Sequence, residues 1–571
     1  MIFYLSQERF WTKSYDPHVP KSLEYPKEDL GTLLSKAMES YGDRVGFYFM
    51  DNEILFKDVL KNARAFATFL QQNGLKKGDV VAISLPNTPQ YLFALYGTFL
   101  AGGASTGLSP LLSPVEMAYQ LNDCKAKFVV TMDILYEKVY PKFLEKVPSL
   151  EVIIPTNISE YMGFSGFKVF MGKLIGKIPK GKMNPWPGKK VVPFLEAINT
   201  PIDLQKVELN SQNDLALIQY TGGTTGTPKG TEITHYNLAA NMHQFDVWLN
   251  REKGTDITMS AFPYFHIAGL FIGLFLTYIG SSHIIIANPR DTDHMIKEIT
   301  ERKPTCFGNV PTLFLMIQKN PKAKEIPPET LDNITLWVSG AAPFPAEAVR
   351  DFEKEFHSHN KFVEVYGMTE SAVLATVNPA LGEKKIGTVG LPLPDTDVRL
   401  VDVETGEEVP IGKPGEILLK GPQVTKRYYN KPEASAKTYI DGWLYTGDVG
   451  VFDEDGYLTI VDRTKDMLSV SGFKVYSVHV EDVLTKHPSI QLCAIIGVPN
   501  PDRPGAEIVK VVIQLKEGIE LNKETKTSIQ NYANENLAKY EVPKIWEFSD
   551  ELPTSMVGKV LKRALREEEN K

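Results

Sequence analysis

The sequence predicts an α/β fold in which a large N-terminal domain of βα sheets is followed by a strand-rich subdomain and a small α+β C-terminal domain. Three observations predict it. Short apolar runs alternate with segments of helix length, which is typical of parallel sheets. After about Gly387 the pattern changes to short strand-like pieces separated by turns. A chain of 571 residues is also too long for one hydrophobic core.

The N-terminal part shows the alternation of strands and helices most clearly. Residues 58–74 place apolar side chains on one helical face and end at a glycine, which predicts an amphipathic helix. Strand-like apolar runs recur along this part of the chain; they are 80–86, 127–131, 151–155, 282–287 and 335–340. We therefore expect largely parallel sheets with helices between the strands.

The C-terminal part contains shorter strand-like pieces. They are 398–402, 415–421, 455–463, 494–499 and 510–515. Beyond Arg463 these pieces lie between amphipathic helices, as in a separate α+β unit. We therefore expect a large domain over residues 1–463 and a small domain over residues 464–571, with the boundary at 464–466.

Composition excludes several classes of protein. Lys and Arg total 62 against 70 Asp and Glu, a net charge of -8, so nucleic acid is not a favoured partner. The three cysteines, Cys124, Cys306 and Cys493, include no C-x-x-C pair, which argues against a disulfide framework or a zinc site and fits a reducing cytoplasm. The sequence contains no run of about 18 apolar residues, so no membrane-spanning helix is predicted. The apolar stretch at the N-terminus is too short for a signal peptide.

The segment YTGGTTGTPKG, residues 220–230, has the parts of an anion-binding loop. Its glycines let backbone N–H groups converge, its threonines add hydroxyl donors, and Lys229 adds a full positive charge. The spacing differs from the P-loop of NTPases, because Lys229 follows Pro228 and precedes Gly230. A P-loop kinase is therefore disfavoured, and a plain surface turn remains the alternative for this loop alone.

Five further motifs follow the loop in a characteristic order. They are PYFHIAG (263–269), VSGAAPFP (338–345), VYGMTE (365–370), LYTGDVG (444–450), and the pair DRTKD (462–466) with PTSMVGKVLKR (553–563). Together with the loop they resemble the adenylate-forming superfamily of acyl-CoA synthetases, and the resemblance covers essentially the whole chain. It implies ATP and magnesium as cofactors and coenzyme A as co-substrate.

The resemblance assigns roles to the residues of these motifs. It implies that the loop holds the β and γ phosphates of ATP, through Thr221, Gly222, Gly223, Thr224, Thr225, Gly226 and Lys229. Lys559 would reach the acid carboxylate and the α-phosphate, and it is the expected catalytic residue together with Thr225 and Glu370. Glu370 would also bind magnesium, a cation that prefers oxygen ligands. One departure is Gly223, where the family commonly has serine.

The same resemblance implies the nucleoside site. Tyr366 would stack on adenine against the backbone of Gly340, Ala341 and Ala342. Asp448 would accept hydrogen bonds from the ribose hydroxyls, and Arg463 would contact ribose and phosphate. The remaining residues expected to contact ATP or AMP are Gly367, Thr369 and Ile460.

The small domain is expected to be mobile, because the family rotates it between its two half-reactions. Lys465 corresponds to the hinge. The segment 468–482 would then line the thiol tunnel, with CoA contacted by Ser471, Gly472, Phe473 and Lys474. Here the chain departs from the family, which commonly has Pro and Glu where this sequence has Ser477 and His479.

Three features bear on the acid substrate, and each leaves an alternative open. His266 stands near the expected carboxylate position or is structural. The apolar segment 269–280 walls a hydrocarbon channel or is a buried helix. Residues 167–183 form a basic amphipathic helix that lies on an anionic membrane or packs on the core. An insertion of this kind resembles long-chain fatty-acid-CoA ligases.

The sequence thus predicts a medium- to long-chain fatty-acid-CoA ligase that takes a fatty acid, ATP and CoA. Alternatives within enzymes are an aryl- or short-branched-acid CoA ligase and an acyl-AMP ligase that loads a carrier protein. The alternative outside enzymes is a catalytically silent lipid- or nucleotide-binding protein. We expect a cytoplasmic protein with peripheral contact at the inner membrane surface through 167–183, and the sequence leaves a homodimer open.

Overall fold

The computed structural model describes residues 9–221, 227–470, 473–500, 507–554 and 560–569, and for Phe473 the backbone alone. Strands and helices are numbered in chain order below. Across the described residues, strand pairing forms five sheets. This is the mixed α/β architecture that the sequence predicts, with several sheets in the N-terminal part and a small α+β C-terminal part.

The first sheet, counted over the described residues, has nine strands. In spatial order they are β16 (Leu391–Pro392), β15 (Thr376–Val377), β14 (Phe362–Tyr366), β13 (Leu336–Ser339), β12 (Cys306–Asn309), β10 (Ile257–Ser260), β11 (Ser282–Ile285), β1 (Val45–Phe49) and β2 (Asn52–Leu55). The central strands pair in parallel, and β2, β15 and β16 pair antiparallel at the margins. One face is covered by α10 (Thr292–Arg302), α11 (Pro311–Lys319), α12 (Pro328–Asn333) and α13 (Ala346–Glu355).

The second sheet has seven strands within the described ranges. In spatial order they are β7 (Lys190–Val191), β6 (Val152–Thr156), β5 (Phe128–Met132), β3 (Val80–Ser84), β4 (Ala104–Gly107), β8 (Leu215–Thr221) and β9 (Lys229–Thr234). Only the pairing of β8 with β9 is antiparallel among these described strands. One face is covered by α4 (Pro114–Asp123) and α5 (Asp133–Lys138).

A shared hydrophobic core joins the two sheets. Its helices are α1 (Leu30–Ser40), α2 (Phe56–Gln72), α3 (Pro89–Leu100), α7 (Phe194–Ile198), α8 (His235–Leu249) and α9 (Ile267–Tyr278). Phe47 and Ile285 of the first sheet belong to the same cluster of buried residues as Val81 and Val130 of the second. The helices therefore form the layer between the sheets, which fixes the sheets relative to each other.

The strand-rich part follows the two large sheets. Its strands are β17 (Asp397–Val401), β18 (Gly415–Lys420), β19 (Tyr439–Ile440), β20 (Trp443–Phe452) and β21 (Leu458–Arg463), with α14 (Pro432–Thr438) before β19. Strand β20 pairs with β18, β19 and β21, all antiparallel. This sheet brings Asp448 of β20 opposite Arg463 of β21.

The C-terminal part has its own clusters of buried apolar residues, which within the described ranges begin at Leu468. Its strands are β22 (Leu468–Val470), β23 (Phe473–Val475), β24 (Ile490–Pro499), β25 (Glu507–Leu515) and β26 (Ile545–Phe548). Its helices are α15 (Ser477–Thr485), α16 (Lys523–Asn536) and α17 (Lys562–Glu569). Short 3-10 helices elsewhere in the chain are Phe10–Ser14, Tyr140–Lys142, Leu144–Lys146, Ile158–Tyr161, Pro321–Glu325 and Thr369–Ser371.

The helix expected over 167–183 is shorter than the sequence predicts. Helix α6 covers Gly166–Leu174, and Gly176 then takes a positive φ of 73°. Ile178 does not continue the apolar face, because it is buried and its N–H donates to the carbonyl of Gly172 at 2.9 Å. A glycine with positive φ ends the helix, and the chain folds back on it.

The apolar face of α6 is exposed, which contradicts the alternative that this helix packs on the core. The exposed side chains are Phe167, Phe170, Met171 and Leu174, with Ile175 directly after the helix. No helix within the described residues has the length and apolar character needed to cross a membrane. The exposed face is therefore a surface feature of the N-terminal part of the chain.

Candidate functional site

The hairpin of β8 and β9 carries the loop with the anion-binding composition. Thr221 and Lys229 are paired residues at the end of the hairpin next to the loop, and the Thr221 hydroxyl donates to the Lys229 carbonyl at 3.4 Å. The loop residues Gly222, Gly223, Thr224, Thr225 and Gly226 lie outside the described residues. The hairpin therefore fixes both ends of the loop, with the Lys229 side chain at its base.

A tyrosine connects Lys229 to Glu370. The Nζ atom of Lys229 lies 4.4 Å from the ring centroid of Tyr428, and the Tyr428 hydroxyl donates to Glu370 Oε1 at 2.7 Å. Glu370 is only 7% exposed, and burial raises the pKa of its carboxyl while the Tyr428 hydrogen bond opposes that rise. The chain thus holds a buried carboxylate close to Lys229.

Sequence reasoning missed Tyr428. The residue lies in the segment RYYNKPEA, where Pro432 at the first position of α14 signals a helix start. The two tyrosines before that helix start were the available signal for a candidate. Only the fold shows that one of them reaches a glutamate 58 positions away.

A second buried carboxylate, Asp448, is held by two residues that the sequence also identified. The Tyr366 hydroxyl donates to Asp448 Oδ2 at 2.8 Å, and Arg463 Nε lies 3.0 Å from Asp448 Oδ1. Asp448 is 6% exposed. Burial raises the pKa of Tyr366 far above its ordinary value, so Tyr366 remains a hydroxyl donor.

The loops after β13 and β14 pack so closely against neighbouring residues that they require glycine at two positions. A Cβ atom on Gly340 would lie 2.6 Å from Val365 Cγ2, and one on Gly367 would lie 1.5 Å from the Val373 carbonyl oxygen. Ala341 takes the left-handed conformation with φ of 68°. Ala342 follows in the same loop, at the carboxyl edge of the sheet where ligands bind in open α/β sheets.

Two further predicted nucleotide residues border this region. Thr369 is buried at the start of the 3-10 helix that contains Glu370. Ile460 lies in β21, opposite Gly450 of β20, and packs against the large core. The structure therefore places Glu370 directly after β14, and the predicted nucleoside residues Tyr366, Asp448, Ile460 and Arg463 on β14, β20 and β21.

His266 is the N-cap of α9. Its Nδ1 accepts a hydrogen bond from the Ala268 N–H at 3.3 Å, and burial lowers its pKa to about 4. The imidazole is therefore neutral at pH 7. This contact supports the structural reading of His266, and contact with a substrate carboxylate stays a prediction.

The expected hinge lies in the turn after β21. Lys465 is exposed in this turn, residues 464–466. The Asp466 carboxylate forms an ion pair with Arg566 of α17 at 2.8 Å. Lys474 of β23 lies 3.2 Å from Glu404 and 3.8 Å from Asp402. Those two acids follow β17, so a predicted CoA residue contacts the strand-rich part.

Four predicted residues of the C-terminal part belong wholly or partly to the ranges that the structure does not describe. Ser471, Gly472 and Lys559 lie outside the described residues, as does the side chain of Phe473. Their roles stay predictions.

A magnesium ion fits the residues that are described. Within the described parts of the chain, no three His, Cys, Asp or Glu residues cluster closely enough to hold a metal unaided. Magnesium usually binds one or two carboxylates and completes its shell with water and substrate phosphates. The single carboxylate of Glu370, linked through Tyr428 to Lys229, matches that pattern.

The comparisons with known proteins show the family of this chain. Residues 34–429 match the family model described as AMP-binding enzyme, and residues 479–559 match the AMP-binding enzyme C-terminal domain. The long-chain-fatty-acid–CoA ligase of Bacillus subtilis (strain 168) is 34% identical over an alignment of 579 residues, which covers 99% of both chains.

Two solved structures share the fold over nearly the whole chain. The anthranilate CoA ligase AuaEII in complex with anthranoyl-AMP has a TM-score of 0.82 and 25% identity, covering 96% of this chain and 98% of its own. ATP-bound MatB from Rhodopseudomonas palustris has a TM-score of 0.79 and 27% identity, covering 95% of this chain and 99% of its own.

The link between Tyr428 and Glu370 gives a testable pH dependence. Substituting Tyr428→Phe removes the hydroxyl that stabilises the ionised Glu370, so its pKa rises further. A hydrogen bond to a charged group is worth about 1.5–3 kcal/mol, which corresponds to about one to two pH units. We expect the acidic limb of magnesium-dependent ATP binding, measured by calorimetry across pH, to move up by that amount.

The neighbouring substitution Tyr429→Phe is the matched control, because the hydrogen bond to Glu370 comes from Tyr428. It should leave the acidic limb in place. If both variants gave the wild-type pH profile, Glu370 would not be the group that titrates.

Proposed function

Because the chain belongs to the family of AMP-binding enzymes and is an AMP-forming acyl-CoA ligase, we propose that its acid substrate is a medium- to long-chain fatty acid. The fatty acid is activated as acyl-AMP and then transferred to CoA. The observation that carries this substrate class is similarity over the full length to a long-chain-fatty-acid–CoA ligase. The protein acts in the cytoplasm, at the inner membrane surface.

The first half-reaction joins two anions, since the acid carboxylate attacks the α-phosphate of ATP and pyrophosphate leaves. Catalysis of such a step depends on positioning and charge neutralisation. Lys229 supplies positive charge at the base of the phosphate loop, and Thr221 and Thr225 supply hydroxyl donors. Glu370 would hold magnesium, which neutralises phosphate charge when bound. Asp448 holds the ribose, and Tyr366 faces the adenine.

Lys559 completes the charge balance in this proposal. It reaches the carboxylate and the α-phosphate together, where charge develops in the transition state. The small domain, residues 464–571, carries this lysine to the site and then turns about Lys465. In the second half-reaction the segment with Ser471, Gly472, Phe473 and Lys474 lines the path of the CoA thiol, which displaces AMP.

Apolar side chains beside α9 would suit a hydrocarbon substrate. Ile272 of α9 and Val338 of β13 are partly exposed, although both pack against the core. Gly308 of β12 lies between them, because a Cβ atom on it would be 3.9 Å from Ile272 Cδ1 and 3.9 Å from Val338 Cβ. Neutral His266 begins the same helix and adds no charge to this wall.

The first test is ATP–pyrophosphate exchange with magnesium across acetate, octanoate, palmitate and benzoate. We expect exchange with octanoate and palmitate, and thioester formation only when CoA is added. Exchange with benzoate alone would replace the proposal by an aryl-acid ligase. Exchange without thioester would indicate a carrier-protein acceptor, and no exchange with any of these acids would contradict the fatty-acid assignment.

The half-reactions should respond differently to loss of the catalytic lysine. Lys559→Ala should lower adenylate formation about a hundredfold or more, since it removes one preorganised charge at the transition state. Thioester formation from synthetic acyl-AMP and CoA should remain largely intact. The control is Lys539→Ala at an exposed lysine, which should change neither rate. Equal loss of both half-reactions in Lys559→Ala would contradict the proposal that the small domain takes a different orientation for each of them.

We also assign membrane contact to the exposed face of α6. Phe167 is 74% exposed and Leu174 is 68% exposed, while the segment 167–183 contains five lysines and no acidic residue. The chain after the helix is held on the protein body, because the Gly181 N–H donates to Asp133 Oδ2 at 3.0 Å. A fixed apolar face bordered by lysines suits an anionic lipid surface and a substrate that partitions into lipid.

Vesicle flotation tests this contact. The double variant Phe170→Asp, Leu174→Asp should bind vesicles of equimolar phosphatidylglycerol and phosphatidylcholine about tenfold or more weakly than wild type. Leu381→Asp removes an exposed apolar side chain outside the segment and is the control. Equal binding by all three proteins would show that another surface contacts the lipid.

A further inference from the structure

A buried hydrogen-bond network crosses the turn that the sequence identifies as the hinge. Strand β21 ends at Arg463, the turn 464–466 follows, and helix α15 begins at Ser477 after the β22–β23 hairpin. Asp462, on the near side of the turn, is paired with Val449 of β20 and so belongs structurally to the strand-rich sheet. Ser477, on the far side, belongs to the C-terminal core.

The carboxylate of Asp462 is 1% exposed and receives two hydrogen bonds from Ser477. The Ser477 hydroxyl donates to Oδ1 at 2.8 Å, and the Ser477 backbone N–H donates to Oδ2. The Arg463 N–H adds a bond to Oδ1 at 2.7 Å. Among the described residues, the two Ser477 bonds are the hydrogen bonds that join Asp462 to the other side of the turn.

The network continues into the last helix. Lys562 of α17 donates to the Ser477 Oγ at 2.6 Å and pairs with Glu481 Oε1 at 2.7 Å. Glu481 Oε1 also accepts from the Ile495 N–H at 2.6 Å. Ser477 is therefore the junction between the strand-rich sheet and the two helices α15 and α17.

The choice of serine at this position matters, because proline would also suit the helix. Ser477 is the first residue of α15, where proline is well tolerated, and Tyr476 before it is extended with φ of -87° and ψ of 111°. Proline is also the residue common at this position in the family the chain resembles. Proline has neither the backbone N–H nor the hydroxyl with which Ser477 bonds Asp462.

We propose that Ser477 is a positioning residue, which holds the small domain in the orientation seen here through Asp462 and Lys562. It thereby sets how often the enzyme passes between its two half-reactions. This inference rests on the proposed rotation about Lys465. A turn of the small domain about 464–466 separates Ser477 from Asp462 and leaves a buried carboxylate short of two donors, which disfavours the other orientation.

A distance measurement tests the orientation without using activity. Spin labels are placed on Lys61→Cys in the large domain and Lys539→Cys in the small domain, two exposed positions, while the native cysteines are all buried. Ser477→Pro should raise the population of a second inter-label distance about tenfold or more, relative to the labelled protein that keeps Ser477. Each hydrogen bond lost from the buried carboxylate is worth at least that factor in the equilibrium. Ser477→Thr keeps both donors and should restore the original distribution.

Thr485→Val is the matched control, because the Thr485 hydroxyl bonds only within α15, to Glu481 and Asp482 carbonyls. It should leave the distances unchanged. Ser477→Ala removes the hydroxyl alone and should give a smaller shift than Ser477→Pro, which keeps the test decisive if the proline variant folds poorly. A distance distribution identical in wild type, Ser477→Pro and Ser477→Ala would overturn the proposal.

Half-reaction rates then separate positioning from plain destabilisation. In Ser477→Pro, adenylate formation and thioester formation from synthetic acyl-AMP should change in opposite directions. Equal loss of both rates would overturn the positioning role. If wild type adenylates none of the acids tested, the proposed substrate fails, yet the label distances still decide the role of Ser477.

Discussion

Two buried carboxylates, each bonded by a tyrosine hydroxyl, determine how the elements around the nucleotide region must be arranged. Tyr428 donates to Glu370 and Tyr366 donates to Asp448, and both acids are less than 10% exposed. A buried carboxylate without donors is strongly disfavoured, so each pair fixes the distance between elements that are far apart in the chain. Strand β14 must therefore lie against β20, and the segment before α14 must lie against the 3-10 helix after β14.

The same bonds leave the carboxylates able to act on a ligand. A carboxylate offers about four acceptor positions, and Asp448 uses one for Tyr366 and one for Arg463. Two positions remain for ribose hydroxyls, so the expected roles of Tyr366 and Asp448 are compatible. Glu370 likewise uses Oε1 for Tyr428, and Oε2 remains for a hard cation.

The sequence predicted what is local and missed what depends on long-range contact. The glycines of 338–345 and 365–370 are contiguous motifs, and the structure gives their reason in the close approach of Val365 to Gly340 and of Val373 to Gly367. Tyr428 has no such motif. Its contact with Glu370 arises because the segment before α14 lies against the 3-10 helix after β14. The amphipathic pattern of 167–183 predicted a helix correctly but extended it too far, since periodicity does not show where Gly176 ends the helix or that Ile178 is buried.

Two sets of contacts hold the C-terminal part against the strand-rich part, and their burial decides which one fixes the orientation. Lys474 meets Asp402 and Glu404 at side chains that are all more than a third exposed, and such pairs contribute about 0–1 kcal/mol. Asp462, Ser477 and Lys562 meet where water is largely excluded, and breaking one partner of a buried charged group costs about 3–5 kcal/mol. The sequence marked Ser477 only as a departure from proline. Its burial against Asp462 makes that departure the stronger constraint on how the two parts sit together. The exposed Lys474 contact is the weaker one.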